Sequence, residues 1–281
     1  EPTFLNSRVH IALPARTTLY DTSSGFSSTE FFDSFNSKVS YYQGLSGAKG
    51  AFAYGESLNF ELSVNTDFSE YNSVYFNRTS YLEVIGGYGL DECTSNPELY
   101  ANNLRSSFLT NLNKLPTSYN KSTNYYQFVN FFQTYGTHVV CKAYYGGRVD
   151  VYKTVTSNEK NFDSNVRAQL SNYFNVTYKD IISGTSSQEY SLENELKWSS
   201  SQFEETTRIT AIGGKDYEIN NDINELNRIV NTWKKTINYY NADLVDFGDN
   251  SLYPIYELVK PLNINRANAM KAAYLDYLAA H

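Results

Sequence analysis

Long apolar runs are missing from this chain. No stretch approaches the roughly 18 to 20 consecutive apolar residues of a membrane-spanning helix, so no helical span is expected. Basic residues are in deficit, with 23 Lys and Arg against 30 Asp and Glu and a net charge of −7. No basic stripe is available to neutralise phosphates, which argues against nucleic acid as a partner, and simple attraction to anionic lipid is disfavoured for the same reason. Histidine is scarce: His10, His138 and His281 are all there is. No G-x-S-x-G, H-E-x-x-H, C-x-x-C or Walker sequence occurs, so neither an enzyme, a cofactor nor a metal is expected. Methionine is also absent from the first position, and a start at Glu1 suggests a processed or trimmed product. Cysteine is limited to Cys93 and Cys141, which either pair in an oxidising compartment or stand as two buried thiols.

What the chain does hold is aromatic surface. Among its 281 residues are 26 tyrosines and 17 phenylalanines, enough large apolar side chains to fill a core, and a composition that favours strands and interfaces. Three N-x-[ST] sequons lie at Asn77, Asn120 and Asn175, of which Asn77 and Asn120 are the expected glycan carriers.

The patterning falls into blocks. Residues 1–36 carry weak signals. From Tyr42 a two-residue alternation begins, with Phe52, Tyr54, Leu58, Phe60, Leu62, Val64 and Phe68 all even and small or polar residues between them, as along one face of an extended strand pair. "GLSGAKG" at 44–50 lacks the G-K-[ST] ending of a phosphate loop and reads as flexible chain. Residues 73–88 read as a strand ending at Gly86-Gly87. Asn96-Pro97-Glu98 predicts a helix start, with Leu104, Phe108, Leu112 and Leu115 at helical spacing until Pro116 stops it. A second helix is predicted from about Thr123 to Tyr135, with Gly136 able to take a left-handed cap. Val139 to Lys153 reads as a strand; Ile219, Ile223, Leu226, Val230 and Trp233 mark a third helix, and 265–280 a last one. Strands and helices in blocks, without βαβ alternation, predict an α+β fold.

Residues 155–210 admit two conformations. Phe162, Val166, Leu170 and Phe174 are spaced by four, which lines one face of a helix, and four is even, which also lines one face of a strand. Tyr178, Leu192, Leu196 and Trp198 share that parity, and polar residues fill the odd positions.

Tyr135-Gly136-Thr137-His138, followed six residues after Val139 by Gly146-Gly147, resembles the signature of the membrane attack complex/perforin family: aromatic-Gly-[Ser/Thr]-His-aromatic, six residues, Gly-Gly. The chain departs from it at Val139, where the family has Phe or Tyr. The "LP" of Leu115-Pro116, a strand closing on Gly213-Gly214, and "SLYPIYELV" at 251–259 add to the resemblance, which covers about residues 35–280.

The resemblance implies one domain over 1–281, with a bent, twisted four-stranded antiparallel sheet flanked by helices. It implies two helical clusters, about 35–72 and 155–208, that refold into amphipathic β-hairpins. Assembly as a homo-oligomeric ring or arc on a target lipid bilayer would follow, from a secreted protein that becomes membrane-inserted. The lipid-facing residues would be the even-numbered Phe52, Tyr54, Leu58, Phe60, Leu62, Val64, Phe162, Val166, Leu170, Phe174 and Tyr178. Gly136 would turn helix into strand, and Gly146, Gly147, Gly213 and Gly214 would sit where central strands bend. His138 is expected to be structural rather than catalytic, having no acid or nucleophile motif beside it. Cys93, just past one central strand, and Cys141, within the next, are expected to be neighbours. No C-terminal targeting domain is recognised, so a missing segment, an accessory chain or an unrecognised surface would supply targeting. A non-lytic adhesion or developmental member of the same fold, and a tyrosine-rich glycan-binding module, remain the alternative readings.

Overall fold

The computed structural model describes residues 16–27, 30, 31, 34, 72–90, 100–184, 191–215, 225–247 and 251–280. Its centre is an open antiparallel sheet, as the α+β expectation requires. Strands β1 (Thr17–Gly25), β2 (Ser73–Gly89), β4 (Lys142–Ser157) and β5 (Glu204–Ile212) lie in the order β1-β2-β4-β5, and β6 (Asp243–Asp246) also pairs with β4. A separate two-stranded ribbon joins β3 (His138–Val140) to β7 (Leu252–Pro254). The long central pair β2–β4 runs in one register from Ser73–Ser157 to Val84–Gly146, then shifts between Val84 and Gly86. An extra residue in one strand of an antiparallel pair bends it and increases its twist.

Helices form where apolar residues recur at three and four. Helix α1 (Ser106–Lys114) buries Phe108 and Leu112, and α2 (Lys121–Tyr135) buries Phe128, Val129, Phe131 and Phe132. Asn120 caps α2 by accepting from the Ser122 N–H at 2.9 Å. These two helices, β3, β7, α6 (Ile255–Val259) and α7 (Ile264–Ala280) enclose one core with Tyr256, Met270 and Tyr274 at its centre.

A second core lies on one face of the sheet. Tyr75 and Tyr81 of β2, Val149, Val151 and Val155 of β4 and Ile209 of β5 are odd-numbered and share that face. Helix α3 (Ser164–Ser183), the short α4 (Leu192–Leu196) and α5 (Leu226–Trp233) pack onto it through Leu170, Phe174, Leu192, Leu196, Leu226, Val230 and Trp233. The opposite face carries buried charge. Arg78 pairs with Asp21, and Arg148 Nε donates to Asp150 Oδ2 at 2.7 Å while its Nη1 donates to the Val245 carbonyl at 2.9 Å. Charges as enclosed as Arg148 and Asp150, 1% exposed each, persist only when paired and hydrogen-bonded.

The elements differ from the sequence expectations at several points. The expected start at Asn96 lies outside the described residues; Tyr100 and Ala101 are helical, but the helix does not run on to α1, which starts separately at Ser106 and leaves the buried Leu104 outside it. The strand expected from Val139 is two strands broken at Cys141, whose N–H donates to the Ser251 carbonyl at 2.6 Å. Gly136 takes φ +82° with an extended ψ of 169°, so it reverses the chain but is not a left-handed helical cap. Ile219 and Ile223 lie outside the described residues.

Candidate functional site

Four glycines meet where the sheet changes partners. On the edge away from β2, strand β4 pairs with β5 from Arg148 to Thr156 and with β6 from Tyr144 to Gly146. Gly146-Gly147 is the point of exchange. A Cβ on Gly146 would stand 2.0 Å from the Glu83 carbonyl oxygen of β2, so only glycine allows the strands to approach this closely. A Cβ on Gly213, the residue just past β5, would meet the Gly146 oxygen at 2.3 Å. Gly213 and Gly214 take φ +69° and +78°, a region open to glycine and strained for other residues.

A clamp closes over these glycines. Trp233, fully buried at the end of α5, donates from Nε1 to the Gly213 carbonyl at 3.0 Å, and its ring lies over Gly147. The Gly214 N–H donates to the Asn241 carbonyl at 2.8 Å, and the Lys215 N–H to Thr236 Oγ1 at 3.0 Å. Arg16 joins the clamp to the sheet, pairing with Glu83 at 2.8 Å and donating to the Ile237 carbonyl at 2.9 Å. Glu83, opposite Gly147 in the ladder, also accepts from Thr18 Oγ1 and the Tyr81 hydroxyl at 3.1 Å each. Burial, with the Glu83 carboxylate adding, pushes the Tyr81 phenol up to about 12, so Tyr81 remains a donor.

The second part of the site is the helical excursion between β4 and β5. Asp163 caps α3, its Oδ1 accepting from the Asn165 and Val166 N–H groups at 2.9 and 3.0 Å, and Gly184 closes it in the left-handed conformation. Phe162, Leu170 and Phe174 are buried and Val166 is partly so. Phe174 stacks on Tyr75 at 5.5 Å between ring centroids, and Phe162 stacks on Trp198 at 6.0 Å. The excursion and the clamp share one core, since α3 packs against α5.

The signature residues divide between two places. Tyr135 sits in the helical core, its ring 4.9 Å from Phe108, and its hydroxyl accepts from Asn111 Nδ2 at 2.7 Å. Thr137 accepts from the Ile255 N–H at 2.9 Å through its carbonyl, and its hydroxyl bonds His138 Nδ1 at 3.0 Å. The His138 ring meets Tyr274 edge-on at 5.5 Å, and burial pushes its pKa down to about 3, which keeps the imidazole neutral at pH 7. Gly146-Gly147 belongs to the clamp instead. Among the described residues there is no group of three or more His, Cys, Asp and Glu that could hold a metal. Nor, among them, is any helix long and apolar enough to cross a membrane, which says nothing of a β-barrel.

Other expected sites fare differently. Asn77 is 1% exposed within β2, its Oδ1 accepting from Thr79 Oγ1, so the folded chain cannot present it to carry sugar, and that expectation is corrected. Asn120 and Asn175 are exposed. Cys141 is disulfide-bonded, while Cys93 lies outside the described residues. Phe52, Tyr54, Leu58, Phe60, Leu62 and Val64 lie outside them too, as does the side chain of Tyr178. Sequence reasoning missed the Trp233 clamp and the buried Arg148–Asp150 pair. Trp233 was visible only as a helix-face residue, and the strand carrying the charges alternates too weakly to reveal a buried polar face.

An open antiparallel sheet, pinched at converging glycines, thus carries a docked helical excursion between its adjacent strands β4 and β5. A model of the MAC/Perforin domain family matches residues 10–280, and the chain belongs to that family. Among solved structures it is similar to GNIP1Aa from Chromobacterium piscinae, with 18% identity and a TM-score of 0.64 over 100% of this chain and 52% of that one. It is also similar to a putative cell invasion protein with a MAC/Perforin domain from Bacteroides thetaiotaomicron, with 20% identity and a TM-score of 0.52 over 92% of this chain and 51% of that one. The chain thus spans about half the length of these structures, and at such identities the likeness is one of fold. No curated protein matches the sequence.

Proposed function

We propose that this chain is the pore-forming domain of a secreted protein that assembles as a ring or arc of identical subunits on a target bilayer. The segments about 35–72 and 155–208 then refold into β-hairpins. The observation that carries the reading is α3, a helix inserted between two adjacent paired strands: Phe162 just before it and Val166, Leu170 and Phe174 within it, all buried but for the partly buried Val166, sit at a spacing that is one-sided in either conformation. Membership of a family that includes pore-formers supports it. A spanning strand needs only about 9–11 alternating residues. Unpaired strand edges are not tolerated in lipid, so a sheet ending at β1 and β5 must close through other copies of itself. Targeting would come from sequence beyond this domain or from an accessory chain.

A disulfide engineered between α3 and β2 beneath it tests the reading. The oxidised variant should attach to vesicles and release no dye, and reduction should restore release; the parent under the same reductant controls for the bond at Cys141. Normal release by the locked protein would refute the hairpin assignment. Attachment without release by the parent chain would favour a non-lytic adhesive role, and retention on a glycan array by lysis-negative protein a glycan-binding one.

A further inference from the structure

Strands β4 and β5 hold an unshifted register from Arg148–Ile212 to Thr156–Glu204. Beyond that pair the ladder stops, but the approach of the two chains does not. Ser157 Oγ donates to the Gln202 carbonyl at 2.6 Å, and further out Phe162 and Trp198 stack, their planes 23° apart. Six residues past Thr156 on one strand and six before Glu204 on the other are Phe162 and Trp198 themselves. The contact in the docked form therefore joins the residues that an uninterrupted ladder would place opposite each other.

Resting on the pore-forming reading, we infer that the inserted hairpin keeps the register β4 and β5 already hold, and that Phe162 and Trp198 form its aromatic girdle at the membrane interface nearer the folded domain. Continued in this way, the ladder sets Ser164 opposite Leu196 and Ala168 opposite Leu192, and centres the turn on Asp180. All these positions fall on the face of Thr154 and Thr156, the side away from the apolar core of Val151 and Val155. The odd face becomes the lumen, with Asp163, Arg167 and Gln169 on one strand and Glu193, Glu195 and Lys197 on the other. From Phe162 to Phe174 is twelve residues, which at about 3.3 Å each and a tilt near 40° rises about 30 Å, the thickness of a hydrocarbon core. Tryptophan and other aromatics belong at its boundary.

The neighbouring ladder agrees. In β2–β4, Ser73 meets Ser157, and the same continuation sets Phe68 opposite Phe162, Val64 opposite Val166 and Phe60 opposite Leu170. The first residue of each of these three pairs lies outside the described residues, so this is agreement of sequence positions with register. At these three positions apolar residues coincide across the β2–β4 continuation, as cross-strand partners on one face should.

Paired cysteines read the register. On vesicles of phosphatidylcholine, phosphatidylserine, sphingomyelin and cholesterol, Gln169→Cys with Ser191→Cys, opposite in this register, should crosslink under mild oxidation. Gln169→Cys with Glu195→Cys, four residues out, should crosslink at least about tenfold less, because Cα atoms beyond about 7 Å cannot be bridged. Peptide mapping by mass spectrometry distinguishes the two. Trp198 emission should be quenched by lipids brominated near the headgroup, with the quenched component lost in Trp198→Phe. Dye release with the shifted pair crosslinking equally well, with neither pair crosslinking, or with Trp198 unquenched, would overturn the register or the girdle. No dye release by the unsubstituted chain from these vesicles would overturn the pore-forming reading itself.

Discussion

Gly147→Ala is the most direct perturbation of the clamp. The added methyl would stand 2.5 Å from Trp233 Cζ2, 2.8 Å from Cη2 and 2.6 Å from Ile237 Cδ1. Ordinary carbon contacts lie near 3.5–4.0 Å, so the indole must retreat by about 1 Å. It has nowhere to go, being fully buried, and retreat pulls Nε1 from the Gly213 carbonyl it holds at 3.0 Å. Overpacking of this kind costs about 1–3 kcal/mol and the hydrogen bond about 0.5–1.5, so a loss of about 2–4 kcal/mol is expected in urea unfolding. Trp233→Phe removes the clashing part of the ring. The double variant should therefore be more stable than the sum of the single effects predicts, by about 1 kcal/mol or more. Gly146→Ala provides the contrast, since its obstacle is the Glu83 backbone, which no side-chain change can move. A Gly147→Ala protein within about 0.5 kcal/mol of the parent, or strict additivity with Trp233→Phe, would refute the argument.

Three further outcomes are expected. Asp163→Ala removes the cap of α3, worth about 0.5–2 kcal/mol, and should quicken dye release from pre-bound protein without changing attachment, as stopped-flow fluorescence would show. The His138 ring refuses a proton that the unfolded chain accepts near pH 6.5, so its contribution is complete above that pH and declines as pH falls toward 3. Unfolding free energy should drop by no more than about 1.4 kcal/mol per pH unit in that window from this source, and the slope should lessen by that share in His138→Gln. On protein secreted from a glycosylating host, peptide mapping should find sugar at Asn120 and none at buried Asn77; a large glycan at Asn175 on lytic protein would count against insertion of α3.

The sequence was most legible where one face is apolar and the other wet. Helices α2 and α7 and strand β2 lie close to their expected limits. Strand β1 was invisible because the residues it turns toward the buried charges are polar: Asp21, which pairs with Arg78, and the buried Ser23. Alternation cannot announce a strand whose inner face is polar. Strand β6 was too short to carry a pattern, and its pairing follows from the exchange of partners at Gly146. The break at Cys141 leaves the alternation intact, so nothing before or after it signals two strands. Position 104 looked helical by spacing, yet tertiary packing buries Leu104 without extending α1 to it.

The exchange of partners at Gly146-Gly147 also sets a lever. From Gly147 to Ser157 is ten residues, an arm of about 33 Å. A swing of about 20° at the pivot would carry the far end about 11 Å, close to the diameter of a helix. The residues under α3 that would feel this most, Val155 and the adjoining Phe162, are held by apolar contact, which weakens steeply once surfaces part. Arg148, one residue from the pivot, would travel only about 1 Å, so its ion pair with Asp150 and its bond to β6 sit where motion is least. The buried ion pair thus lies at the fulcrum, while at the tip a swing would have to part the apolar packing of Val155 and Phe162 together with the hydrogen bonds from Ser157 Oγ to the Gln202 carbonyl and from the Phe162 N–H to Ser73 Oγ.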